Sequence, residues 1–168
     1  AYHDSLTDLY NHRYFYEQFS HEIERSLRYG EPLAVLLMDM NNFKQINDTY
    51  GHMVGDKFLS LVGQVIARQI RSSDIAARYG GDEFVVLLPS TTGEEARATA
   101  EKLAFGVANA AAVSPAEEQI KLSITIGVAS CPDDSRSAGE LLQIADTRMF
   151  ESKPQRRGRN NDDRKAVA

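Results

Sequence analysis

The chain has 168 residues, of which 42% are hydrophobic and 26% are charged, and its formal net charge is −5. This length suits one domain with a real hydrophobic core, and the acidic balance excludes a general basic surface for nucleic acid. The single cysteine, Cys131, excludes an internal disulfide and favours a reducing compartment. The sequence has no long apolar span, so we expect no transmembrane segment and no signal peptide in these residues.

The first predicted element is an amphipathic helix. Apolar residues recur at every fourth position, at Phe15, Phe19, Ile23 and Leu27, and charged residues lie between them. This spacing predicts a helix that packs on the core through its apolar side and ends near Gly30.

A buried strand and two helices are predicted next. The continuous apolar run 33–38 predicts a strand that is covered on both faces and stops at Asp39. Residues 43–50 predict a short helix closed by Gly51, and residues 55–70 predict a second helix.

The centre of the chain predicts a β-hairpin. Residues 75–79 and 84–88 both have strand-like sequences, and a Gly-Gly pair stands between them. Such turns need a positive φ, which glycine adopts without strain. Asp82 and Glu83 follow at once, so they are expected either to stay in solvent at the hairpin tip or to meet a cation.

The last third predicts a helix, a strand and a final helix. Thr92 with Glu95 and Ser137 with Glu140 form capping-box patterns at the two helix starts, and residues 120–130 alternate as a strand does. The complete order is helix, strand, helix, helix, hairpin, helix, strand, helix, which is the ferredoxin-like pattern. The predicted fold class is therefore α/β (α+β), with a mainly antiparallel central sheet flanked by helices.

Four motifs occur in an order that is similar to that of one bacterial family. They are residues 4–13 (DSLTDLYNHR), 39–48 (DMNNFKQIND), 50–56 (YGHMVGD) and 80–84 (GGDEF). From about residue 4 to about residue 160, the chain resembles the GGDEF family of diguanylate cyclases. The resemblance implies a palm-type nucleotidyl-cyclase fold and one domain over residues 1–160. We expect the tail, residues 161–168, to be disordered.

The resemblance also implies an activity. Family members condense two GTP into cyclic di-GMP, release pyrophosphate and use Mg²⁺ or Mn²⁺. A homodimer is implied, because each domain holds one GTP and two domains must face each other. Further expectations are cyclic di-GMP as product and inhibitor, an upstream sensory domain, no nucleic-acid partner, and a cytoplasmic location with any membrane anchor in upstream parts.

Three acidic residues are the candidates for the metal site. Asp39 follows the predicted strand, where a carboxylate is a ready ligand for Mg²⁺, although a helix cap is the alternative. If this strand lies beside the hairpin, Asp39, Asp82 and Glu83 converge and repel one another unless a cation lies between them. By resemblance, the metal ligands are Asp39, the Met40 carbonyl, Asp82 and Glu83, and Asp82 takes the proton of the attacking hydroxyl.

The phosphate-binding candidates are basic or lie at a helix start. Lys44 lies near a predicted helix N-terminus, which favours phosphate; a solvated surface lysine is the alternative. By resemblance, Lys44 is catalytic together with Asp82 and Glu83, and the amides near Phe43 assist it. Lys153 stands where the family places a phosphate-contacting lysine, but its distance from the following Gly-Arg-Asn is two residues longer than usual, so a tail arginine is the alternative.

The remaining candidates recognise guanine or the product. A carboxylate at Asp56 accepts both N1–H and N2–H of guanine, and Asn47 adds an amide contact. By resemblance, His52 also contacts the substrate. By resemblance, Arg71 and Asp74 have the spacing of the family's inhibitory product site. An arginine fork suits the phosphates and the guanine of that product. An ordinary surface ion pair is the alternative.

Two other functions stay open. The domain either binds GTP or cyclic di-GMP without turnover and regulates a neighbour, or serves only as a structural dimer module. The intact acidic and basic motif residues oppose the first alternative, and the altered tail favours it. The second predicts no nucleotide-dependent shift in melting temperature.

Overall fold

The structure is a computed structural model that describes residues 1–154. The predicted domain boundary at residue 160 and the predicted tail at residues 161–168 lie outside this described part. Within residues 1–154, no helix has the length and apolar character needed to span a membrane.

The helices and strands follow the predicted order, with three short strands added. The elements are β1 (Tyr10–Asn11), α1 (His12–Tyr29), β2 (Leu33–Met40), α2 (Phe43–Tyr50), α3 (His52–Gln69), β3 (Ile75–Arg78), β4 (Glu83–Pro89), α4 (Gly93–Ala108), β5 (Ala112–Val113), β6 (Gln119–Ile120), β7 (Ile124–Cys131) and α5 (Ala138–Glu151). The sequence missed β1 and β5 because two residues are too few to show the period-2 pattern of a strand, and β6 overlaps the start of the strand expected over 120–130.

A five-stranded sheet in the order β1-β3-β4-β2-β7 carries the fold. The central strand β2 is antiparallel to β4 and to β7, β3 is antiparallel to β4, and β1 runs parallel to β3. β5 and β6 pair separately. This arrangement confirms the predicted ferredoxin-like, mainly antiparallel sheet.

The central strand is buried on both faces, as predicted, because its side chains alternate between two cores. The even-numbered residues 34–40 pack with side chains of α3 and α4. The odd-numbered residues 33–37 pack with side chains of α1 and α5. The sheet therefore lies between two helical layers.

Helix α1 has the predicted span but a shifted inner face. It ends at Gly30, which has a left-handed φ of 66°. Leu27 is 44% exposed, and Ser26 is buried in its place. Each four-residue step turns a helix about 40° beyond a full turn. After three such steps the core side has moved from Leu27 to Ser26, so the prediction for Leu27 was wrong.

Three predicted boundaries were also wrong. β2 continues through Asp39 to Met40, because these two residues still pair with β7. α3 begins at His52, three residues early, because Gly51 with φ of 90° both ends α2 and starts α3. The strand expected over 120–130 is divided into β6 and β7.

The hairpin forms as predicted, but its glycines do not have the predicted conformation. β3 and β4 pair antiparallel, yet neither Gly80 nor Gly81 has a positive φ. The loop is held by Arg78, whose guanidinium donates to the carbonyl oxygens of Gly80 at 3.2 Å and Gly81 at 2.8 Å. The side chain of Arg78 therefore supplies the order that we had assigned to glycine backbone geometry.

The two capping boxes differ. Thr92 and Glu95 form the complete box at the start of α4. At the start of α5, Ser137 accepts from the Glu140 amide. The Glu140 carboxylate accepts from the Ser135 hydroxyl at 2.6 Å instead of the Ser137 amide. The second box is therefore only half formed.

Candidate active site

The end of β2 lies directly beside the hairpin. Asp39 is the cross-strand partner of Glu83, and the Met40 amide donates to the Asp82 carbonyl at 3.1 Å. Asp39 caps no helix, since the N-cap of α2 is Asn42. The backbone therefore brings the predicted acidic residues to one end of the sheet.

Burial and like charge act together on these carboxylates. Burial is the main cause that raises the pKa of Asp39 and that of Glu83 above their ordinary values. The charges of Asp82 and Asp146 raise both further. We call Asp39, Asp82, Glu83 and Asp146 the acidic edge. The carboxylates of this edge repel one another, and a bound cation would reduce that repulsion.

Asp146 is a member of the acidic edge that the sequence analysis missed. It lies on α5 and acts electrostatically on both Asp39 and Glu83. The sequence offered one indication of this position: Asp146 precedes the candidate Lys153 by seven residues, or about two helical turns.

Lys153 already provides one positive charge at this place. Its Nζ donates to Asp39 Oδ1 at 2.5 Å, and the side chains of Lys153 and Asp39 are 28% and 13% exposed. This contact lowers the pKa of Asp39, but burial outweighs it. In this conformation Lys153 therefore pairs with a carboxylate.

The donor set of the acidic edge suits a hard divalent cation. Within residues 1–154, no three His, Cys, Asp or Glu side chains are close enough to hold a metal ion unaided. The three carboxylates therefore lie at one end of the sheet without forming a complete metal cage by themselves. Mg²⁺ typically takes one or two protein carboxylates together with substrate phosphates and water. Asp39, Glu83 and nearby backbone carbonyls meet that smaller requirement.

The loop of the hairpin leaves room for a ligand. A Cβ added to Gly81 would meet nothing within 4 Å, and Gly81 has no positive φ. The fold alone therefore places no demand for glycine here. A ligand that packs directly on this backbone would place such a demand.

The remaining phosphate-binding and base-recognition candidates lie on α2 and α3. Lys44, His52 and Asp56 are exposed, and Phe43 is half-buried at the start of α2. Asn47 Oδ1 is buried and has no hydrogen-bond partner. In the described part of the chain, no hydrogen bond or ion pair joins these side chains to the acidic edge.

Arg71 and Asp74 lie at the other end of the hairpin strands. Arg71 Nη2 donates to Asp74 Oδ1 at 3.0 Å, to the Pro89 carbonyl at 3.0 Å and to Thr91 Oγ1 at 2.8 Å. The Arg71 side chain is still 56% exposed. Arg71 therefore forms the ion pair with Asp74 that was the alternative to a product site, and its side chain is still accessible to a ligand.

Two polar supports of the site were also missed. Asn41 donates to Ser123 Oγ at 2.9 Å and accepts from Thr125 Oγ1 at 2.7 Å, which ties the end of β2 to β7. Arg78 Nη1 pairs with Asp4 Oδ1 at 3.3 Å, which ties the hairpin loop to the first motif. Local patterns cannot reveal contacts that span 74 to 84 residues.

Comparison with known proteins supports a single family. Residues 1–159 match the family model described as "Diguanylate cyclase, GGDEF domain". The chain is 42% identical over 160 residues to Diguanylate cyclase DosC of Escherichia coli K12, covering 94% of this chain and 34% of DosC. It is 35% identical over 158 residues to Response regulator PleD of Caulobacter vibrioides, again covering 94% and 34%. It thus spans about a third of the length of these relatives.

Solved structures are similar over nearly the whole fold. The GGDEF domain of YfiN from Pseudomonas aeruginosa superposes with a TM-score of 0.85 at 38% identity, covering 91% of this chain and 89% of that domain. The GGDEF domain of DgcB from Caulobacter crescentus, solved in complex with c-di-GMP, has a TM-score of 0.84 at 27% identity and 90% coverage of each chain. With this fold, these motifs and these relatives, the chain belongs to the GGDEF-domain family of diguanylate cyclases.

Proposed function

We propose that this domain is a diguanylate cyclase that converts two GTP into one cyclic di-GMP and two pyrophosphates. The observation that carries this proposal is the pairing of Asp39 with Glu83 at one end of the sheet. Burial raises the pKa of both carboxylates there, and neighbouring negative charges raise it further. Such an arrangement favours a bound cation and a polyphosphate that shares it.

Each half of the reaction forms one phosphodiester bond. The 3′ oxygen of one GTP bonds to the α-phosphorus of the other, the bridging α–β bond breaks, and pyrophosphate leaves. Asp82 takes the proton of the 3′ hydroxyl in this proposal. Mg²⁺ or Mn²⁺, held by Asp39, the Met40 carbonyl, Asp82 and Glu83, supplies neutralising charge and a more acidic hydroxyl when bound.

Basic groups and backbone amides hold the phosphates in the proposed complex. Lys44, exposed on the first turn of α2, neutralises charge that develops on the phosphates. Amides near Phe43 at the start of that helix assist it. Lys153, which pairs with Asp39 in the nucleotide-free protein, would contact a phosphate in this complex.

The base lies against the starts of α2 and α3 in this proposal. Asp56 accepts N1–H and N2–H of guanine, and Asn47 and His52 complete the contact. Adenine lacks this pair of donors and would leave Asp56 unpaired, which costs a few kcal/mol, or about a hundredfold in discrimination. The domain is therefore expected to select GTP over ATP.

The active unit in this proposal is a pair of domains. Both half-reactions are identical, so two copies related by a twofold axis each present one GTP to the other. The matched relatives are much longer than this chain, and we propose that a sensory domain of the full-length protein controls the pairing. The acidic net charge of −5 fits no nucleic-acid partner.

Product formation tests this function. Incubation with GTP and Mg²⁺ is expected to yield cyclic di-GMP and pyrophosphate in a 1:2 ratio, measured by mass spectrometry and a phosphate assay. Because two domains must meet, the rate is expected to rise faster than linearly with protein concentration. Asp82→Asn serves as the inactive control. A nucleotide-induced rise in melting temperature without product would support the catalytically silent alternative, and no rise at all would support the structural module.

We also propose that cyclic di-GMP inhibits the enzyme at Arg71 and Asp74. Arg71→Ala removes a charged hydrogen-bonding fork, so the half-inhibitory concentration of cyclic di-GMP is expected to rise about tenfold or more. Arg68→Ala, at an exposed position on the last turn of α3, is the matched control and is expected to leave inhibition unchanged. Inhibition of Arg71→Ala at wild-type concentrations would exclude this site.

A further inference from the structure

Gly55 occupies a helical position where glycine needs an explanation. It is buried in the first turn of α3. Glycine inside a helix costs roughly 0.5–1 kcal/mol relative to alanine. Among the described glycines, only Gly30 and Gly51 have a positive φ. Backbone conformation therefore does not account for a glycine at position 55.

Space accounts for it. A Cβ on Gly55 would overlap Asn47 Oδ1 and would lie 3.0 Å from Asn47 Cγ and 3.3 Å from Phe43 Cζ. We call the space between Gly55, Asn47 and Phe43 the Gly55 notch. The carboxamide of Asn47 fills this notch, so an α2 side chain lies directly on the backbone of α3.

The carboxamide in the notch is oriented in an unusual way. Asn47 Oδ1 is buried without a hydrogen-bond partner, and no other side-chain N or O atom in residues 1–154 is in this state. An unpaired buried acceptor costs roughly 1–3 kcal/mol. Asn47 Nδ2 has no hydrogen bond either and is not among the fully buried atoms, so this end of the amide is at least partly accessible to solvent. The fold tolerates the cost and holds the amide with one end presented.

We infer that Gly55 is a positioning residue for base recognition and that it acts through Asn47. The inference rests on the proposed function, in which Asn47 and Asp56 contact guanine. Asp56 directly follows Gly55 in α3, so the helix turn that forms the notch also carries the carboxylate. The notch thus fixes the Asn47 amide relative to the Asp56 carboxylate, and base recognition requires both at once.

If Gly55 is a positioning residue, Gly55→Ala should weaken nucleotide binding without lowering the stability of the fold. The atoms that a new methyl group meets belong mainly to the flexible end of Asn47, so the side chain leaves and the fold remains. Alanine also favours the helix. The melting temperature is therefore expected to stay level or rise while nucleotide binding weakens. A purely structural glycine would lower the melting temperature instead.

The experiment compares Gly55→Ala, Asn47→Ala and the double variant. The probe is 3′-deoxy-GTP with Mg²⁺, which lacks the attacking hydroxyl, and its Kd is measured by calorimetry beside the melting temperature of each protein. Gly139→Ala is the matched control, because Gly139 also lies in the first turn of a helix and its added Cβ would meet only Ser137 Oγ at 4.0 Å. It is expected to bind the probe as the wild type does.

Each single variant is expected to raise Kd about 3- to 10-fold, as the loss of one hydrogen bond does. The double variant is expected to bind no more weakly than Asn47→Ala, because Gly55 has no further effect once the amide is gone. In the nucleotide-free protein, the ¹⁵N-correlated side-chain amide signal of Asn47, identified by its absence in Asn47→Ala, is expected to shift in Gly55→Ala.

Several results would overturn the inference. Wild-type affinity in Gly55→Ala, additive losses in the double variant, or an unmoved Asn47 signal would each do so. These outcomes leave the proposed function intact, because the wild type still binds the probe. Failure of the wild type itself to bind 3′-deoxy-GTP would overturn the proposed function and base recognition together.

Discussion

Glu83→Gln is expected to lower cyclic di-GMP synthesis by about a hundredfold or more while the protein stays folded and becomes more stable. Glu83 lies opposite Asp39 on the neighbouring strand. Burial, followed by the charges of Asp82, Asp39 and Asp146, raises its pKa above the ordinary value of 4.5. Glutamine keeps the shape and removes the charge that these surroundings disfavour. Function and stability therefore oppose each other at this position.

The stability gain in Glu83→Gln should depend on pH. Because the folded-state pKa of Glu83 is raised, the folded protein holds this proton more tightly than the unfolded chain does. Ionisation therefore destabilises the fold increasingly as pH rises above the ordinary glutamate range. The melting temperature of Glu83→Gln should match the wild type near about pH 4 and exceed it by a few degrees near about pH 7.5.

Calorimetry in the presence of a chelator and the product assay together measure this trade-off. Glu94→Gln, an exposed glutamate in the first turn of α4, is the matched control and is expected to change neither quantity. The account of the acidic edge would be wrong if Glu83→Gln melted below the wild type at both pH values or continued to make cyclic di-GMP at the wild-type rate.

Gly127→Ala is expected to destabilise the fold by about 3 kcal/mol, or roughly 10 °C in melting temperature. Gly127 lies in β7, where α5 packs directly on the strand. A Cβ at this position would overlap the Ala145 carbonyl and would lie 2.5 Å from the Met149 amide nitrogen. Both are backbone atoms of α5, which cannot rotate away as a side chain can. The whole helix would have to move.

Gly139→Ala is the control for this prediction as well, because it adds the same methyl group to α5, the helix that packs on Gly127, without a clash. It is expected to be neutral or to stabilise the protein by up to about 1 kcal/mol. Thermal unfolding of the two variants decides the matter. A Gly127→Ala protein that melts at the wild-type temperature would show that α5 is not held against β7 as described.

The sequence predicted what depends on local pattern. The long helices have strong periodicity, the apolar run before Asp39 marks the central strand, and a Gly-Gly pair between two apolar runs marks the hairpin. Errors arose where a local rule competed with a tertiary contact. β2 continues past its apolar run because β7 still pairs with it, and Arg78 orders a loop that we had assigned to glycine conformation.

The candidate site divides in the same way. Asp39, Asp82 and Glu83 could be found because each lies at the end of a strand-like segment or beside a turn. Asp146 could not be assigned to the site, because its contribution depends on how α5 lies against the sheet. The Asn41 bonds to β7 and the Gly55 notch likewise depend on distances between elements. Sequence motifs mark these residues but do not show what they contact.

The most direct test of the account is to locate the cation. A crystal of the protein with Mn²⁺ and 3′-deoxy-GTP should show an anomalous manganese peak within about 2–2.5 Å of a carboxylate oxygen of Asp39 and of a nucleotide phosphate oxygen. Lys153 should then have left Asp39. If nucleotide is bound but manganese lies elsewhere, with the Lys153–Asp39 pair still formed, the acidic edge is not the catalytic metal site.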